Sequence, residues 1–222
     1  MTLLAVDTCT ERLVVGVRSD HDRWLNLDSG GNHARDLIDA ARSLLEGRKP
    51  DAVGAALGPG SFTGVRIGLS AAKGLAEGWR VPLVGLDNLA AMAVSWAALC
   101  PDFPGPVLCA IDARKQKFYG AVYFGHQVLV PPSDLSPSDW LNAVREVWSG
   151  PVCLSGYQGP LLAKTLEGSL PADWQVVPGH DWAPALLDQL ELGWKAGTVL
   201  PPEAGPRYLR LSEAEEERLK RG

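Results

Sequence analysis

Apolar and polar residues follow one another along this chain in blocks that alternate between the patterns of strands and helices. Short apolar runs bounded by turn residues are typical of buried strands. The predicted strands are residues 2–6, 13–17, 24–27, 51–57, 82–86, 107–112, 118–122, 152–155 and 175–177. The predicted helices are one that ends near residue 45, one that begins after Ser61, one at 87–98 with Asp87 as its N-cap, and those at 137–147, 159–166 and 182–195. This alternation indicates an α/β protein.

The helix that begins after Ser61 is the most informative of these elements. The strand at 51–57 ends at the turn 58–60, whose proline and glycines break regular structure, and Ser61 is the predicted N-cap. Its polar residues share one narrow stripe: Arg66, Ser70, Lys73 and Glu77. The rest of the helix is apolar or small, and Gly64 and Gly68 would let another backbone approach closely. We therefore expect something beyond one sheet to pack against this helix.

The turn itself allows three interpretations. A phosphate-binding P-loop needs Gly-Lys-Ser/Thr at the helix start, where this chain has residues 63–65, Thr-Gly-Val. A dinucleotide site is closer, because Gly58, Gly60 and Gly64 have a similar spacing and Asp87 follows the next strand, where a ribose-binding acid belongs. The third interpretation is a structural turn that leads into a packing helix.

Composition and charge narrow the classes of function. The 222 residues allow one or two domains. The net charge of −5 excludes a general basic field, so a role on RNA would leave the main phosphate contacts to a partner. The N-terminus resembles no signal peptide and no apolar run is long enough to span a membrane, so we expect a cytoplasmic protein without membrane contact.

Neither a disulfide framework nor a metal site is expected from the cysteines and histidines. Four cysteines are scattered without a CxxC pair, which fits reduced thiols. His21, His126 and His180 are isolated and no HExxH motif occurs. We therefore predict no bound metal.

The second half of the sequence repeats the pattern of the first. Each half opens with an apolar strand that ends in Asp, then a polar turn, then a strand with a central Gly: residues 3–7 and 13–17, then 107–112 and 118–122. This repeat predicts a duplicated unit. The turn-rich segment 100–106 marks the boundary, so the predicted subdomains are residues 1–103 and 104–222. The charged tail from residue 212 is predicted to form a short exposed helix.

Residues 58–69, GPGSFTGVRIGL, closely resemble the signature of the TsaB family, also called YeaZ. Four further pieces are similar to the family in the same order: residues 4–8 (LAVDT), 32–33 (NH), 112–114 (DAR) and 206–210 (PRYLR). The resemblance thus spans nearly the whole chain. It implies an actin-like, sugar-kinase-like (ASKHA) fold of two duplicated α/β subdomains, in agreement with the internal repeat.

The resemblance also implies a function. Members of this family are non-catalytic subunits required to form N6-threonylcarbamoyladenosine (t6A) at adenosine 37 of tRNA. They bind and stabilise a homologous catalytic subunit of the TsaD type, work with an ATPase of the TsaE type, and form homodimers when alone. The implied protein would reach tRNA only through the complex and would need no cofactor of its own.

If a partner binds, the apolar face that one sheet would leave free predicts its surface on the helix after Ser61 and on the neighbouring first helix. The predicted partner-binding residues are Leu37, Ile38, Ala41, Leu45, Phe62, Gly64, Arg66, Gly68, Leu69 and Lys73. If this face is free, Leu69→Glu should leave the fold mostly intact and abolish dimerisation. The alternative is that both helices simply cover one sheet.

The sequence departs from the catalytic paralogues at their metal site. Those proteins carry HxxxH on a helix, with two His side chains on one face. Here the matching stretch starts at Asn32-His33 and has Leu37 where the second His would be, so we expect no catalytic residues.

Nucleotide binding is the other expectation raised by the fold. Actin-like kinases bind ATP or ADP beside an Asp at the end of each first strand, which corresponds here to Asp7 with Thr8 and to Asp112. The first turn lacks the usual glycine. The alternative function is therefore a nucleotide-dependent enzyme acting alone, either kinase-like through these residues or dinucleotide-binding through the glycine-rich turn.

Overall fold

The computed structural model describes residues 1–28 and 33–210 of the chain. The predicted helix start at Asn32 and the predicted helix in the tail from residue 212 lie outside these residues. Within them, no helix is long and apolar enough to cross a membrane.

The first half forms a five-stranded sheet with three helices. Its elements are β1 (Leu3–Asp7), β2 (Arg12–Arg18), β3 (Asp22–Asp28), α1 (His33–Leu45), β4 (Ala52–Ala56), α2 (Phe62–Trp79), β5 (Leu83–Leu86) and α3 (Asn88–Leu99). The strand order is β3-β2-β1-β4-β5. The strands β1, β2 and β3 are antiparallel neighbours, whereas β4 runs parallel to β1 and β5 parallel to β4.

The second half repeats this arrangement. Its elements are β6 (Val107–Arg114), β7 (Lys117–Phe124), β8 (Gln127–Leu135), α4 (Pro137–Val147), β9 (Cys153–Ser155), α5 (Gly159–Thr165), β10 (Gln175–Val176) and α6 (Ala183–Lys195). The order β8-β7-β6-β9-β10 matches that of the first sheet strand for strand, with the same directions. The repeat predicted from the sequence is confirmed, and the chain has the actin-like ASKHA fold.

Helix α6 comes from the second half of the chain but packs on the first sheet, against β1, β2, β4 and β5. The guanidinium of Arg18 on β2 helps to hold it there by pairing with Asp188 at 2.7 Å and Glu191 at 2.6 Å. The first sheet is therefore covered on both faces, by α1 and α2 on one side and by α6 on the other. The subdomain boundary between residues 103 and 104 stays a prediction.

Local sequence explains where the long helices begin. The Ser61 hydroxyl accepts a hydrogen bond from the amide of Gly64 at 3.0 Å, and the Asp87 carboxylate accepts one from Ala90 at 2.9 Å. Both predicted N-caps are thus confirmed. Strand β8 was not predicted, because Pro131 and Pro132 interrupt its pattern. Its position at the edge of the sheet tolerates them, since an edge strand has amides without ladder partners.

Candidate functional site

A cleft of about 650 Å³ lies between the two halves. Four parts of the chain form its walls: the β1–β2 turn, the β6–β7 turn, the start of α2, and residues 207–210. Its volume lies within the range of small-molecule pockets in proteins. The residues predicted to bind a nucleotide can therefore be compared with the lining of this cleft.

Asp7 does not line this cleft. Its side chain is buried, and its two carboxylate oxygens accept hydrogen bonds from the amide of Cys9 and from the indole of Trp182, each at 2.8 Å. Burial raises the pKa of the Asp7 carboxyl, because loss of solvent outweighs these hydrogen bonds. Asp7 therefore ties the start of α6 to the β1–β2 turn and is not available to a ligand.

We expect the stability of the protein to carry a pH dependence that comes from Asp7 and is missing in Asp7→Asn. In the unfolded chain the carboxyl ionises near its ordinary pKa of 3.8, whereas in the folded protein it ionises at higher pH. Its contribution to stability is therefore greatest below pH 3.8 and declines as pH rises from there through the folded-state pKa. Urea unfolding of both proteins from about pH 3 to pH 7 measures this difference, and parallel curves would contradict it.

Thr8 is also used within the fold. Its hydroxyl donates to the carbonyl of Gly64 at 2.7 Å, and the side chain is buried. A Cβ at Gly64 would overlap the carbonyl oxygen of Thr8, and a Cβ at Gly68 would overlap its hydroxyl. The close approach predicted for these glycines exists, but the β1–β2 turn makes it, through the Thr8 backbone at Gly64 and the Thr8 side chain at Gly68. The expectation that Gly64 and Gly68 meet a partner helix is therefore wrong.

Asp112 is the one predicted nucleotide residue that lines the cleft. Its carboxylate accepts a hydrogen bond from the amide of Arg114 at 2.7 Å and lies 3.5 Å from that guanidinium. Arg114 also pairs with Glu11, which joins the two turns across the mouth of the cleft. The fold thus buries Asp7 and leaves Asp112 with an internal partner. Among the described residues, no group of three or more His, Cys, Asp or Glu side chains could hold a metal ion.

The dinucleotide interpretation of the turn loses its two supports. A Cβ at Gly60 would overlap Cys9, so this glycine is needed for internal packing. The Asp87 carboxylate caps α3 by accepting a hydrogen bond from the Ala90 amide, and its other oxygen lies 3.5 Å from the Arg207 guanidinium, so both oxygens have partners within the chain. The structural interpretation accounts for these residues.

Most of the apolar residues predicted to bind a partner lie in the core. Leu37, Ala41, Leu45 and Leu69 are each at most 4% exposed and pack between the two helices and the first sheet. The sequence pattern identified them correctly as apolar-face residues, but that face points inward. They are buried within the chain, and of the partner-binding residues predicted in α1, Ile38 remains at the surface with 39% exposure.

Three more of the predicted partner residues contact another part of this chain, residues 200–210, which we call the strap. The ring of Phe62 stacks on Tyr208 with centroids 4.7 Å apart, and the Arg66 guanidinium donates to the Tyr208 hydroxyl at 2.6 Å. The Lys73 amino group donates to the carbonyls of Pro202 and Ala204. These contacts were not predicted, because they join residues more than a hundred positions apart.

The strap also joins the two halves. Its Leu200 amide donates to Leu83 on β5, and its Arg207 amide donates to Leu57 just after β4, each at 2.7 Å. At its far end, Arg210 forms two hydrogen bonds with the Asp134 carboxylate on β8, at 2.8 and 2.9 Å. The run 206–210 was noted in the sequence without a structural role, and this bridge supplies one.

One face of α2 remains exposed next to α1. Ile67 is partly exposed and belongs to none of the core clusters of the described residues. A Cβ at Gly74 or Gly78 would meet no other atom within 4 Å. With Ile38 and Ser70, these residues form what we call the α1–α2 face.

Comparisons with known proteins give this geometry a context. The family model described as TsaD, tRNA N6-adenosine threonylcarbamoyltransferase, matches residues 30–139. A protein of Bacillus subtilis (strain 168) named tRNA threonylcarbamoyladenosine biosynthesis protein TsaB is 28% identical over 97% of this chain and 96% of its own length. The protein of the same name from Escherichia coli (strain K12) is 34% identical, but that match covers only 55% of each chain.

Solved structures agree with the sequence comparison. The structure titled "YeaZ from Pseudomonas aeruginosa" superposes with a TM-score of 0.73 at 25% identity, over 94% of this chain and 99% of that one. A second structure from that organism, described as similar to peptidase YEAZ, gives 0.72 at 26% identity with the same coverage. Sequence and fold agree, and together these comparisons support the assignment of the chain to the TsaB (YeaZ) family.

Proposed function

We propose that this chain is a non-catalytic subunit in the biosynthesis of threonylcarbamoyladenosine in tRNA, and that it acts by binding a TsaD-type threonylcarbamoyltransferase. Relatives named as TsaB biosynthesis proteins support the pathway. The match to the TsaD family model fits a partner built on the same fold. In this proposal a TsaE-type ATPase completes the complex, and the chain forms a homodimer when the paralogue is absent.

The observation that carries the proposal is the α1–α2 face. Ile38 is exposed and Ile67 is partly exposed, on two neighbouring helices that contact each other. Exposed apolar residues grouped in this way are typical of a protein interface. The face replaces the inward-facing leucines as the partner surface, on the same two helices that the sequence indicated.

Two glycines of this face strengthen the argument. A glycine inside a helix costs about 0.5–1 kcal/mol relative to alanine. Gly64 and Gly68 are explained by the β1–β2 turn, but Gly74 and Gly78 have open space around them. A second helix that packs closely here would account for the missing side chains.

The proposal that this chain is non-catalytic rests on two positions of α1. His33 is buried, and Leu37, one helical turn further along, is fully buried in the core. A second histidine would be needed at that turn to hold a metal. The side chains of Asp7 and Thr8 form hydrogen bonds within the fold. Of the three residues predicted to bind ATP or ADP, only Asp112 therefore lines the cleft. The proposed role requires no cofactor bound by this chain.

We expect Ile67→Glu to weaken binding of the TsaD-type paralogue at least about tenfold, because it places a charge in the centre of the apolar face. The matched control is Leu192→Glu, which introduces the same charge at a 70% exposed position on α6, away from this face. Size-exclusion chromatography with light scattering, on each chain alone and mixed with the paralogue, measures both association states.

The wild-type chain and Leu192→Glu should form the heterodimer, whereas Ile67→Glu should elute as a folded monomer. If Ile67→Glu bound the paralogue as the wild type does, the α1–α2 face would be the wrong surface. If the wild type ignored the paralogue altogether, the proposed function would fail.

A further inference from the structure

The strap and the start of α2 build an unusual wall of the cleft. Phe62 and Tyr208 stack at 4.7 Å with their planes only 25° apart. The guanidinium of Arg66 lies 3.7 Å above the centroid of Phe62 and 5.6 Å from that of Tyr208. Tyr208 remains 41% exposed although one side of its ring is stacked on Phe62. The cleft therefore displays an aromatic surface beside a cation.

The charge of Arg66 is available to a ligand. Within residues 1–28 and 33–210, no carboxylate lies within ion-pair distance of its guanidinium, which donates a hydrogen bond to the neutral hydroxyl of Tyr208. Other cations of the cleft have acidic partners: Arg114 pairs with Glu11 and Arg210 with Asp134. In the described part of the chain, Arg66 is thus the basic residue of this wall that has no acidic side chain paired with it.

Charge is also concentrated around this wall. The cleft is lined by five basic residues against two acidic ones: Arg66, Arg114, Lys115, Arg207 and Arg210, with Glu11 and Asp112. The whole chain has a net charge of −5. Because Arg114, Arg207 and Arg210 have acidic partners, the attraction for an anionic group is centred on Arg66, although the protein as a whole repels polyanions.

We infer that this wall binds one nucleotide unit of an RNA strand, with the base stacked on the exposed side of Tyr208 and the phosphate paired with Arg66. Aromatic stacking combined with a nearby arginine is the usual way in which proteins hold an unpaired nucleotide. The choice of RNA as the source rests on the proposed function, since a free nucleotide offers the same base and phosphate. A metal-bound triphosphate is a poorer fit, because Asp7 is buried and Asp112 is paired with Arg114.

The contact is expected to be local and weak in the isolated chain. A single stacked base and one phosphate pair provide the affinity, and the net negative charge opposes any longer track of RNA. In the complex, this contact would add to those made by the partner. It therefore changes the expectation that tRNA is reached only through the complex.

The test uses the full chain and a fluorescein-labelled, single-stranded oligoribonucleotide of about five nucleotides, followed by fluorescence anisotropy at low salt. We expect Tyr208→Leu and Arg66→Gln each to weaken binding about tenfold. Tyr208→Phe keeps the ring and should bind as the wild type does, which separates stacking from a structural effect on the strap. Arg145→Gln removes an equal charge from an exposed position on α4 outside the cleft and should have no effect.

Three outcomes would overturn the inference: no binding by the wild type, equal binding by Tyr208→Leu and wild type, or equally tight binding of a polyglutamate peptide. Competition with AMP identifies the source. If AMP binds with the same dependence on Tyr208 and Arg66 while the oligoribonucleotide does not bind, the site takes free nucleotides and the assignment to RNA is wrong.

The result is independent of the partner assay. A wild-type chain that binds the paralogue but not the oligoribonucleotide refutes this inference alone. A chain that binds the oligoribonucleotide but not the paralogue refutes the proposed function alone. Tyr208→Leu should still form the heterodimer, because Tyr208 lies outside the α1–α2 face.

Discussion

Leu69→Glu is expected to prevent folding of the chain. Leu69 is 4% exposed and packs with Leu37, Ala41 and Leu45 against the first sheet. Burying an unpaired carboxylate there costs several kcal/mol, and a shift to the neutral acid would still leave a polar group without partners. Even Leu69→Ala should lower the free energy of unfolding by about 2–5 kcal/mol, because it leaves a cavity. This result reverses the expectation from sequence, in which Leu69→Glu left the fold intact.

Soluble expression and urea unfolding measure this effect. Ser70→Glu is the matched control, because it introduces the same charge at the next residue of α2, on the exposed side. Its free energy of unfolding should stay within about 0.5 kcal/mol of the wild type. A Leu69→Glu protein with a wild-type unfolding transition would show that this side of α2 is not in the core.

Alanine at two glycines of α2 should have opposite effects on stability. In Gly64→Ala the new methyl group would overlap the Thr8 carbonyl and the Ser61 hydroxyl, both parts of the rigid start of the helix. Overpacking of this kind costs about 1–3 kcal/mol. In Gly74→Ala the methyl group meets open space, so the gain in helix propensity should stabilise the monomer by up to about 1 kcal/mol.

Thermal unfolding of both variants tests this contrast. Each variant is the control for the other, because both carry the same substitution in the same helix. If Gly64→Ala were as stable as the wild type, the β1–β2 turn would not lie against α2. Gly74→Ala has a second use, since the added methyl group should weaken binding of the paralogue if a partner helix packs there. A variant that is more stable and binds the paralogue as the wild type does would place the interface elsewhere.

Local pattern was enough to predict most of the elements that form, β8 excepted, and where the long helices begin. The predicted caps at Ser61 and Asp87 exist, and the strand before the glycine-rich turn is β4. The internal repeat predicted two similar halves, and the two sheets share one strand order. These features depend on neighbouring residues, through hydrogen bonds within a helical turn or through the alternation of buried and exposed positions.

The partner surface was misplaced for a reason that the sequence does not contain. An apolar face and a row of small residues show that something packs against a helix, but they do not identify what packs there. In α2 the row at Gly64 and Gly68 receives the β1–β2 turn, more than fifty residues away, and the face at Leu69 receives the sheet. Gly74 and Ile67 carried the same signal, and only the open space around them distinguishes the two sets.

The alternation of strands and helices and the duplicated motif are enough to predict the class of fold, and the resemblance of residues 58–69 indicates the family. The site depends on contacts between distant segments: Trp182 with Asp7, the strap with Arg66 and Lys73, and Arg210 with Asp134. Local sequence does not predict any of these pairs, because the neighbours of each residue in the chain do not determine which distant residue it will contact. Folding of the two halves against each other brings the partners together, and burial then selects which side chains remain for a partner or a ligand.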